Sequence, residues 1–107
     1  MIEEKELLEN NSNNIKNAMF TISLMKTLNE IVKMENVDDI YLNQENYDKM
    51  EIYVFIKENS LDDEDLISDT LAKWETKMLY FPELFIFSKE DDEKMNILPR
   101  SAVRVCC

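Results

Sequence analysis

The groups that could do chemistry in this chain of 107 residues are defined first by two that are missing. There is no histidine, which removes the commonest general base, the commonest metal ligand and every Ser-His or Cys-His nucleophile pair. There is no glycine, which removes the Gly-rich loops that cradle nucleotide phosphates. A reaction would have to run on carboxylates, Lys, Ser or Tyr. One run of four carboxylates is Asp62, Asp63, Glu64 and Asp65. Ser60 followed by Asp63 reads as a capping box, and acids in a first helical turn complement the positive end of the helix dipole. The competing reading, a calcium loop, needs alternating oxygen ligands around a glycine, and neither is present. Cys106 and Cys107 are adjacent, so a bridge between them would be strained, and two thiolates cannot complete a zinc site. They read as a reduced tail. No metal and no cofactor is implied, and the expectation is a protein that is not an enzyme.

The bulk numbers narrow the class further. The length suits one domain, 1–107, and 45% hydrophobic residues are enough for a packed core. The formal net charge is −11, from 23 acids and 12 bases. That field repels phosphate backbones, so no direct nucleic-acid contact is expected, and it suits a basic protein partner. No apolar run approaches the roughly 18 residues of a membrane span, so no membrane association is expected. Glu3, Glu4 and Glu6 stand where a signal peptide carries positive charge, and the expected location is cytoplasmic.

The elements that would position any site are legible as periods. Ile52 to Ile56 (Ile-Tyr-Val-Phe-Ile), within Met50–Lys57, are all β-branched or aromatic. A run apolar on both faces reads as a central strand covered on both sides. Before it, residues 1–12 read as a short N-terminal arm, with Ser12 and Asn13 as candidate caps. Ile15, Ala18, Met19, Ile22, Met25, Leu28, Ile31 and Val32 then form a helical stripe. Phe20 and Leu24 flank that stripe, so this helix either sits deep on the sheet or turns a second face to a partner. Val37–Leu42 reads as a strand and Asn43–Lys49 as a polar loop returning into Met50–Lys57. After the central strand, Ile67, Leu71, Trp74 and Met78 form a second helical stripe, with Trp74 either a core anchor or a binding platform. The Tyr80-Phe81-Pro82 stretch ends that helix. Leu84–Phe87 reads as a third strand reached by a right-handed parallel crossover, Ser88–Lys94 as a charged turn, and Ala102–Val105 as a fourth strand on an edge. The fold class is therefore α+β in two layers, a small mixed sheet of three or four strands with two main helices, in the order α-β-β-α-β(-β).

This order resembles the minimal nucleotidyltransferase-like domains, from about Leu28 to Val105. Glu30–Leu42 looks like that family's first helix end and first strand, Lys49–Val54 like its second strand, and Phe81–Asp92 like its last. The resemblance implies a fold whose chemistry sits at a Gly-Ser pair after the first strand and an acid-apolar-acid triplet opening the second, where two magnesium ions are held. Here Asn43-Gln44 stands in place of Gly-Ser, and Lys49-Met50-Glu51 in place of the triplet. A lysine opposes the metal charge and leaves Glu51 to do the work of two acids. The resemblance then implies a fold without its activity.

The leading expectation is a small acidic, non-catalytic interaction or regulatory protein, holding a protein partner or its own copy. Phe20, Leu24, Phe85 and Phe87 are the candidate contact residues. One alternative is an acidic nucleic-acid mimic that occupies the groove of a basic nucleic-acid-binding protein. Another is magnesium-dependent nucleotidyl transfer through Asp48 and Glu51.

Overall fold

The computed structural model describes residues 19–46, 49–88 and 97–105. The arm over 1–12, the caps Ser12 and Asn13, Ile15, Ala18, Asp48, most of the charged turn after Ser88, and Cys106 and Cys107 lie outside the described residues. Helix α1 runs over 19–32. It is followed by β1 (Val37–Asn46), β2 (Lys49–Ile56), helix α2 (Leu61–Met78), β3 (Glu83–Ser88) and β4 (Val103–Arg104). The sheet order is β3-β2-β1-β4. β2 runs antiparallel to β1 and parallel to β3, and β4 runs antiparallel to β1. This is a small α+β fold with a mixed sheet.

The five residues Ile52 to Ile56 are all buried, Ile52, Val54 and Ile56 at 0% exposure. Strand side chains alternate between faces. Met50, Ile52, Val54 and Ile56 meet Ile40 of β1, Leu24, Leu28 and Ile31 of α1, and Ile67, Leu71 and Trp74 of α2 in one core. Both helices therefore lie on the same face. Tyr53 and Phe55 point to the other face, where they meet aromatic rings of the neighbouring strands.

α2 follows its sequence closely. Ser60 is the N-cap, and its Oγ accepts the backbone N–H of Asp63 at 3.3 Å. Ile67, Leu71 and Trp74 are buried and Met78 is half-buried. α1 keeps only part of the expected stripe, with Leu28 and Ile31 in the core. Met19 and Ile22 are 64% and 56% exposed, while Leu24, Leu28 and Ile31 are buried. The helix is rolled by roughly a quarter turn, because Phe20 finds two ring partners. It meets Trp74 and Tyr80 edge-on, both at 5.2 Å. The Trp74 indole N–H also donates to Ser23 Oγ at 3.0 Å.

β1 is longer than expected. The residues expected to start a loop continue the ladder, with Asn43 opposite Glu51 and Gln44 opposite Met50. A buried amide is tolerated on a strand when it is hydrogen-bonded, and Asn43 is. Turns are made without glycine. The Asn36 side-chain amide donates to the Glu58 carbonyl at 2.8 Å and to Asp63 Oδ2 at 2.9 Å. Its oxygen accepts the Glu58 N–H at 3.0 Å. One asparagine thus ties the α1–β1 turn to the β2–α2 turn.

The helix C-cap, where glycine is usual, falls to Leu79 with φ 53° and ψ 42°. A Cβ in that region costs about 1–2 kcal/mol, and Leu79 is 80% exposed, so its side chain returns little burial. Leu79→Gly should raise the unfolding free energy by about 1 kcal/mol in urea titration. A fall would show that the leucine side chain is needed for packing.

Candidate functional site

The face of the sheet opposite the helices is laid out in rows by the strand register. Glu83, Glu51 and Asn43 make one row, Phe85, Tyr53, Tyr41 and Arg104 the next, and Phe87, Phe55 and Asp39 the third. Cross-strand neighbours at this spacing interact directly. Tyr53 stacks on Phe85 at 5.1 Å with planes 16° apart, and Phe55 on Phe87 at 5.8 Å. Tyr41 meets Phe55 edge-on at 5.9 Å. The rings of Phe85 and Phe87 are nearly parallel, 6° apart with centroids at 6.4 Å. Tyr53 and Phe55 are buried, while Phe85 and Phe87 at the β3 side are half-buried. The result is a ladder of rings that is more exposed toward β3.

The polar row is closed on itself. Ser101 donates to Asn43 Oδ1, and Asn43 Nδ2 donates to Glu51 Oε1 at 2.8 Å. The Tyr53 hydroxyl donates to Glu51 Oε2 at 3.0 Å. Both oxygens of Glu51, the acid the family resemblance would make a metal ligand, are engaged by protein. Among the described residues no group of three His, Cys, Asp or Glu is placed to hold a metal ion. Arg104 pairs with Asp39 at 2.7 Å beside the aromatic row.

The four candidate contact residues fall into two places. Leu24 is buried and Phe20 half-buried against Trp74 and Tyr80, inside the helix–sheet layer. Phe85 and Phe87 lie together on the other face. Sequence reasoning did not single out Leu79 and Phe81, 80% and 70% exposed, which lead into β3 from the end of α2. Their signal was present, since Phe81 keeps the odd-numbered alternation of Phe85 and Phe87.

Clefts flank the helices, one of about 290 Å³ lined by Phe20, Leu24, Met25, Leu42 and Met50. A cleft of about 740 Å³ lies at the start of α2 and is lined by Asn36, Glu58, Ser60 and Asp63. The side chains of Asn36, Ser60 and Asp63 there are engaged in the cap and the Asn36 bonds, and Glu35, Lys57 and Asn59 also line it. A cleft of about 310 Å³ between α1 and α2 carries Lys26, Lys73 and Lys77 with Ser23, Thr27 and Thr70. These three hydroxyls donate to the carbonyls of Phe20, Ser23 and Leu66. Only exposed ammonium groups are left to donate there. No helix among the described residues is long and apolar enough to cross a membrane.

No family model, characterised protein or solved structure matches the chain.

Partial burial on α2 pushes the Glu75 carboxyl above its ordinary range through desolvation of the charged form. A raised carboxyl favours folding most when protonated, so its contribution is complete below the ordinary carboxylate pKa and is lost as pH climbs through the raised value. Glu75→Gln should therefore raise the urea midpoint at pH 7 and leave it nearly unchanged below pH of about 4. A larger gain in acid than at neutrality would contradict the assignment.

Proposed function

We propose that this chain is a small acidic, non-catalytic interaction protein whose contact surface is the β3 side of its sheet. The observation that carries the reading is the run of Leu79 and Phe81, both exposed, into the half-buried pair Phe85 and Phe87. Exposed large apolar side chains leading into a half-buried ring pair suit an interaction site. The net charge of −11 favours a basic partner over an acidic one. The pair Cys106 and Cys107 suits a reducing compartment, and we assign the protein to the cytoplasm.

The two alternatives have less support. Nucleotidyl transfer asks Glu51 to hold magnesium, while its two oxygens accept from Asn43 and Tyr53. A nucleic-acid mimic asks for carboxylates free along one face. Three of the acids, Asp39, Glu51 and Asp63, are turned to Arg104, to Asn43 and Tyr53, and to Asn36.

The reading is tested with the immobilised full chain in an extract of the cells that make it. The wild type should retain a protein that the variant Leu79→Ser/Phe81→Ser does not, with both matched in circular dichroism. Identical retention by the two chains removes the surface from consideration. Heat on mixing with Mg²⁺-ATP would restore the enzyme reading.

A further inference from the structure

We propose that the outer edge of β3 accepts an extended basic segment of a partner protein as a fifth strand of the sheet. This rests on the interaction reading above and names the mode and the partner's chemistry. Among the described residues β3 is an end strand, paired only with β2. An end strand presents a row of unpaired N–H and C=O groups, and an extended peptide can complete it.

The two ends of the sheet are treated differently. β4 has two residues, one of them Arg104, which pairs with Asp39. Shortness and charge are the usual means of blunting an edge. β3 has six residues and no charge from Leu84 to Ser88. Its one charge, Glu83, stands at its first residue. Its alternation also offers two sets of contacts. Phe85 and Phe87 continue the aromatic face, with Phe81 ahead of them, while Leu84 and Ile86 pack on the helix side.

Charge selects the occupant. Thr70, Lys73 and Lys77 of α2 line the cleft toward α1. Helical spacing then puts Glu64, Ser68 and Glu75 on the opposite flank of α2. α1 packs over β1, through Leu24 and Met25 beside Leu42, so α2 covers the β3 side and that flank faces its edge. Glu83 opens the strand itself. Glu75 is half-buried with no described cation beside it, and its desolvation is what a bound Lys or Arg would offset. A second copy of this chain would bring Glu64, Glu75 and Glu83 against themselves, −11 against −11. A strand of alternating cationic and apolar residues turns all its Lys or Arg to the α2 acids and its apolar side chains to the rings.

The test uses the ¹⁵N-labelled full chain and a capped peptide of about eight residues alternating Lys and Val. Amide shifts should centre on 83–88. N-methylation of two edge-facing peptide nitrogens should weaken binding about tenfold, the value of two lost hydrogen bonds. Exchanging Lys for Glu in the peptide should abolish it, and the chain variant Glu75→Gln/Glu83→Gln should weaken it several-fold with a shallower salt dependence. Binding indifferent to N-methylation, or shifts centred elsewhere, overturns strand addition. Concentration-dependent self-association through 83–88 overturns the choice of partner. The interaction reading itself fails separately, if the Leu79→Ser/Phe81→Ser chain retains the same proteins as the wild type.

Discussion

β2 is buried on both of its faces, and most of the molecule follows from that. Ile52, Val54 and Ile56 require an aliphatic layer on one side, and α1 and α2 provide it. Tyr53 and Phe55 require rings on the other, and Tyr41, Phe85 and Phe87 provide them. A slip of one residue would exchange the two sets, so the register is fixed by side-chain type as well as by the backbone ladder. Each buried side chain of this size contributes about 1.5–3 kcal/mol. The Arg104–Asp39 pair, with Arg104 at 62% exposure, belongs to a class worth about 0.2–1 kcal/mol. Packing of β2 decides the fold, and surface charge adjusts it.

The lack of glycine shapes what surrounds that strand. Asn36 makes with its side chain the turn contacts that a flexible backbone would otherwise have to find. Leu79 takes a left-handed cap at a steric cost. The polar groups buried near the sheet are bonded in sequence from Ser101 through Asn43 to Glu51 and Tyr53. That chain of bonds rigidifies the end of the β1–β2 pair and commits the one acid for which the family resemblance implied a metal.

The central strand, the cap and stripe of α2, the parallel crossover and the edge position of the fourth strand were legible because each has a strong local cause. The roll of α1 was not. Its sequence is apolar on too many sides for periodicity to choose a face, and the choice is made by Trp74 and Tyr80, distant in sequence from Phe20. The length of β1 was hidden because Asn43 and Gln44 read as loop residues until a partner for the Asn43 amide is known. Of the candidate contacts, Phe85 and Phe87 were legible from alternation. Phe20 and Leu24 were left between core and partner, and they sit in the helix–sheet layer.

The two ends of the sheet differ in length and charge. One is short and charged, and the other is uncharged between Leu84 and Ser88. Native hydrogen exchange of the full chain reads this directly, amide by amide. Amides from Ile52 to Ile56 should exchange only through global unfolding, while alternate amides of β3, those facing outward, exchange orders of magnitude faster. Uniform protection across β3, or early exchange at Val54, would contradict a doubly buried β2 beside an open edge.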